Sequence, residues 1–97
     1  MGLTFHRLLR NDVRSVSAYY EAKVGRQLSI RFGKELEELV EKIQQNPRRF
    51  HLISDTLRRA NFPSFPYHLL FRETPAGVRI LILRHHRRHP LHGAARR

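Results

Sequence analysis

The spacing of apolar residues changes sharply at Asn46-Pro47, and that change demands two structurally different halves. Before it, apolar side chains recur every three or four residues; after it they alternate, so helices precede strands. Val13, Val16, Tyr20 and Val24 share one helical face behind an Asn11-Asp12 cap, and Gly25 is placed to end that helix. A second helix opens near Gln27. It carries Leu28, Phe32, Leu36, Leu39, Val40 and Ile43 on its apolar stripe, with Lys34, Glu37, Glu38, Glu41 and Lys42 on the wet side. Pro47 pushes the residue before it out of the helical region and stops the helix. The short link at Gly25 makes the two helices antiparallel neighbours.

Strands are expected on either side of this pair. Leu3 to Leu9 suits a short half-buried strand, and Leu57 to Phe62 another. After the Pro63-Ser64-Phe65-Pro66 bend, Tyr67, Leu69 and Phe71 alternate with His68, Leu70 and Arg72. Thr74-Pro75-Ala76-Gly77 has the residues of a type I turn, which predicts a hairpin onto Val78 to Arg84. That last run is apolar on both faces and reads as the central strand. The order is β-α-α-β-β-β, an α+β fold with a helix hairpin on one face of a small, mostly antiparallel sheet and the other face partly open. Residues 1–90 form one domain in this reading, and 91–97, which lack periodicity, a flexible basic tail.

Nineteen Lys and Arg against eight Asp and Glu leave a charge of +11. Residues 50–97 carry +7 of it and six of the seven histidines, so this half attracts polyanions or an acidic protein partner. The absence of cysteine excludes disulfides, thiolate ligands and a cysteine nucleophile. The longest apolar run, Val78 to Leu83, is broken by Arg79 and falls far short of the roughly 20 residues needed to span a bilayer. A cytoplasmic protein with no membrane partner is expected.

Candidate chemistry lies in that basic half. Arg59, His68 and Arg72 can share a sheet face or edge with the cluster after the last strand, His85, His86, Arg87, Arg88 and His89. Arginine forks onto phosphate oxygens and histidine exchanges protons near neutral pH, which is what metal-free RNA cleavage requires. Under that reading His68 or His85 is acid or base, and Arg59 and Arg87 stabilise the phosphorane. The plain alternative is a solvated edge of Arg58, Arg59, Arg87 and Arg88 that discourages pairing between sheets. His85 and His86 point to opposite faces of a strand and have no carboxylate nearby, so neither a metal nor another cofactor is expected. The second helix's glutamates, at salt-bridging spacings with lysines, read as surface.

Taken in order, Tyr19-Tyr20-Glu21, Leu36-Glu37-Glu38-Leu39, Asn46-Pro47-Arg48-Arg49-Phe50, Leu57-Arg58-Arg59, Phe65-Pro66-Tyr67 with Phe71-Arg72, and Val78-Arg79-Ile80-Leu81 running into His85-His86-Arg87-Arg88 resemble a RelE/ParE-family toxin of a bacterial type II toxin–antitoxin system. The resemblance implies the same architecture, growth inhibition, and an acidic antitoxin, partly disordered when free, that folds along the helices and sheet edge. Tyr19, Tyr20 and Arg31 are the contacts expected for it. It also implies one of two targets. ParE-like members inhibit DNA gyrase, and the His-His-Arg-Arg ending looks more like theirs; Arg58, Arg59, Arg72, His86, Arg87, Arg88 and His89 are then binding residues. RelE-like members cleave mRNA on the ribosome, and the catalytic set would be Arg59, His68, His85 and Arg87. By position His68 falls where these nucleases tend to carry arginine, and the C-terminal tyrosine expected of them falls near Gly93 and is missing. A basic nucleic-acid-binding module without toxicity is the third reading.

Overall fold

The computed structural model describes residues 2–97. The chain runs β1 (Gly2–Phe5), α1 (Leu9–Lys23), α2 (Arg26–Gln45), a 3-10 turn at Pro47–Arg49, β2 (His51–Leu52), β3 (Arg58–Asn61), β4 (Tyr67–Thr74) and β5 (Gly77–His85). The five strands form one sheet in the order β1-β5-β4-β3-β2. β1 runs parallel to β5 and every other neighbouring pair is antiparallel. The expected α+β architecture is therefore present, with the two-residue edge strand β2 added by the backbone after Pro47. β4 occupies the middle of the sheet, and β5, expected there, lies beside it, between β4 and β1.

The helix-facing side of the sheet forms the core. Ala60, Leu69, Phe71, Val78, Ile80 and Leu83 meet Leu9 and Val16 of α1 and Phe32, Leu39 and Ile43 of α2. Phe32 is the centre of an aromatic group, stacked on Phe62 at 4.9 Å and edge-on to Phe65 at 5.1 Å. Such pairs add to area burial and fix the angle at which α2 crosses the sheet. Gly25 joins the helices at φ +142°, outside the left-handed helical region, and hands the chain directly into α2. Gly77 at φ +137° lies against the backbone of Gly2, so the β1–β5 contact has no space for a side chain there.

Three expectations shift. β1 stops at Phe5 because His6 turns the chain, its Nδ1 accepting the Leu8 amide at 3.1 Å, and α1 starts at Leu9, before the Asn11-Asp12 pair. Asp12 therefore lies inside the first turn and reaches the sheet, where its carboxylate accepts the Leu83 amide at 3.2 Å. The strand expected at 57–62 is shorter, since the Leu57 carbonyl accepts the Ile53 amide in the preceding loop and the Phe62 amide donates to the Tyr67 carbonyl at the turn into β4. Finally, residues 91–97, expected as a frayed tail, fold back on the sheet. Arg96 clamps Asp12 at 2.6 and 3.2 Å, and Gly93 packs against Ile82. A part-buried carboxylate at the bare edge of β5 gives the last turn a charged anchor that periodicity does not register.

Candidate functional site

Residues on β3, β4 and β5 that face away from the helices carry the basic side chains. In register Asn61 lies opposite His68, and His68 opposite Arg84; Arg59 precedes Asn61 by two and His86 follows Arg84 by two. Alternation along strands thus places Arg59, Asn61, His68, Arg84 and His86 on one surface.

They form a connected chain. Arg84 Nε donates to His68 Nε2 at 3.0 Å, His68 Nδ1 meets His86 Nδ1 at 2.9 Å, and Arg59 Nη2 approaches the same His86 nitrogen at 3.1 Å. Arg59 Nε also donates to Asn61 Oδ1 at 2.8 Å. Only one pair of tautomers satisfies every contact: His68 carries its proton on Nδ1, and His86 accepts there and carries its own on Nε2. The two imidazoles stack at 5.2 Å. His68 is 1% exposed, and burial together with the cations Arg59 and Arg84 pushes its pKa down to about 3. Burial and Arg59 lower that of His86 as well.

Other expected site residues lie elsewhere. His85 points to the helix side and stands edge-on to Tyr67 at 5.0 Å, its Nδ1 accepting the Arg87 amide. Arg58 also faces the helix side, where Nη1 donates to the Phe50 carbonyl at 2.7 Å, which separates it from Arg59. Arg72 sits opposite Arg79 near the hairpin end of β4 and β5. Arg87, Arg88 and His89 are exposed in the turn after β5. Tyr19 is 55% exposed, whereas Tyr20 packs on Phe32 and Phe65. Arg31 is engaged by Glu35 and Ser64. Arg84 and Asn61 escaped the sequence reading; each stands two residues from a singled-out residue, and that spacing was the available signal. Among the described residues no group of three His, Cys, Asp or Glu could hold a metal ion, and no helix is long and apolar enough to cross a membrane.

The arrangement is a cationic surface held by neutral acceptors. It can bind anionic groups through Arg59 and the exposed arginines after β5, but His68, enclosed and with both nitrogens engaged, has no free position from which to move a proton.

Comparison with known proteins gives two findings. Residues 3–90 match the family profile described as ParE toxin of type II toxin-antitoxin system, parDE. A solved structure entitled "Chromosomal ParDE TA system from P. aeruginosa" superposes with a TM-score of 0.77 at 18% identity, covering 88% of this chain and 95% of that one. No curated protein matches the chain.

Proposed function

The chain belongs to the ParE toxin family of type II toxin–antitoxin systems, and on that premise we propose that it arrests growth by inhibiting DNA gyrase in the cytoplasm and is neutralised by a cognate acidic antitoxin. The observation that carries the choice of target is the enclosure of His68. A nuclease needs an acid or base within reach of the 2′-hydroxyl or the leaving oxygen. The residue in that position on β4 is instead a structural link between Arg84 and His86.

In this reading Arg59, His86, Arg87, Arg88 and His89 are the contact surface, with Arg72 at its far end, and no bond of the target is broken by the toxin's own side chains. The antitoxin adds negative charge to a +11 protein and covers apolar surface in the same step. Tyr19, exposed on α1, is its best-placed contact among the three expected.

The test is induced expression in a bacterial host lacking the neighbouring gene, following growth, mRNA integrity and the SOS response together, with a supercoiling assay on purified gyrase. Arrest with SOS induction, uncut mRNA and blocked supercoiling is expected, and His85→Ala should retain all three. Cut mRNA that His85→Ala abolishes would replace gyrase inhibition by nuclease action.

A further inference from the structure

A cleft of about 400 Å³ runs beside the edge of β5 beyond β1, between α1 and the returning C-terminal segment. Arg84, Arg88, His85 and His92 line it, and Tyr67 and Ser15 add hydroxyl groups. Its one carboxylate, Asp12, is already neutralised by Arg96 and bonded to the Leu83 amide. The charge left uncompensated on the walls is therefore positive.

Arg84 sharpens the point. It is 6% exposed, and its partners are His68 Nε2 at 3.0 Å and the carbonyls of Pro90 and His92 at 2.8 and 3.2 Å. Among the described residues neither Arg84 nor Arg88 has an acidic partner. Removing a guanidinium from water without a counter-ion is costly, and neutral carbonyls offset only part of that cost. Arg59 nearby raises it further, in the direction that lowers the Arg84 pKa. An anion in the cleft would supply the missing charge.

The donors favour a tetrahedral anion over a planar one. They come from three sides, α1, β5 and the C-terminal segment, whereas a carboxylate is satisfied by one guanidinium fork. The volume is that of a small-molecule site, and Tyr19, on the same wall and 55% exposed, offers a flat ring on which a base can stack. We propose that this cleft binds a nucleoside monophosphate, its phosphate held by Arg88 in the uncompensated field of the enclosed Arg84 and its base against Tyr19. The site shares Arg88 with the surface assigned to the protein target and Tyr19 with the antitoxin contact, and its binding of a nucleotide does not depend on what that target is.

The experiment is an amide NMR titration of the full chain at constant ionic strength with AMP, inorganic phosphate, adenosine and acetate in separate arms. Saturable shifts at Ser15, Tyr19, His85 and Arg88 are expected with AMP, weaker ones at the same amides with phosphate, and none with adenosine or acetate. Arg88→Gln should weaken AMP binding about tenfold, the loss of one charge-assisted contact, while Arg97→Gln at the chain end leaves it unchanged. Shifts spread over all arginine-bearing surfaces, equal affinity in the two variants, or acetate matching phosphate would overturn the proposal. The last result would make the cleft a carboxylate site of the kind an acidic peptide fills.

Discussion

Acid should unfold this protein through His68 before its carboxylates titrate fully. The ring is enclosed, so the folded protein resists protonating it until about pH 3, whereas the unfolded chain takes the proton near the ordinary value of 6.5. A folded-state pKa below the unfolded one means that the stability is complete above 6.5 and is lost as pH falls toward 3. At about 1.36 kcal/mol per pH unit for one proton, the whole interval is worth roughly 5 kcal/mol, much of the stability of a domain this size. Between pH 6 and 4.5 the loss from His68 alone is about 2 kcal/mol. Urea unfolding of the native chain and of His68→Gln, at half-unit steps from pH 7 to 4.5, measures it. The variant should be less stable at pH 7, because Gln cannot reproduce both ring contacts, but its curve should be flatter, so the two converge as pH falls. Parallel curves over this range, or a His68 ring that titrates near 6 by NMR in the folded protein, would refute the enclosure argument and with it the main objection to a catalytic His68.

Other outcomes follow from single contacts. Asp12→Ala leaves the Leu83 amide and the Arg96 guanidinium without their partner, and should cost about 2–3 kcal/mol in chemical denaturation. A double-mutant cycle with Arg96→Ala should return a coupling of roughly 1–2 kcal/mol, and a value near zero would detach the C-terminal turn from the sheet edge. Phe32→Ala empties the centre of the aromatic group and should cost about 3–5 kcal/mol by the same assay. Gly77→Ala forces a Cβ into the Gly2 backbone, while Gly25→Ala, also at positive φ, meets open space. The first should cost about 3 kcal/mol or more and the second roughly 1 kcal/mol, and equal melting temperatures would contradict the packing of β1 on β5.

Local patterns carried most of the architecture. The stripe from Leu28 to Ile43, the stop at Pro47 and the alternation from Tyr67 onward depend on residues a few positions apart, and those periodicities survive folding because each element buries the face it offers. They also put Arg59 and His68 on the site, since parity along a strand is a local property. The partnership of His68 with Arg84 was not legible, because register between β4 and β5 includes an offset at Leu70 and Phe71 that no alternation displays. The separation of Arg58 from Arg59, by contrast, is such a local property, because a strand turns neighbouring residues to opposite faces.

Sequence alone determined the helix pair, the hairpin, the positive half of the chain and the likeness to its toxin family. Tertiary structure decided what the charged residues do. Arg96 and Asp12 are 84 residues apart, and they meet only because parallel pairing of β1 with β5 leaves an edge that the carboxylate fills and the last turn closes. The character of His68 was settled the same way, since a histidine's chemistry depends on its neighbours in space. Two arginines and a second histidine turn a candidate proton carrier into a neutral, enclosed link.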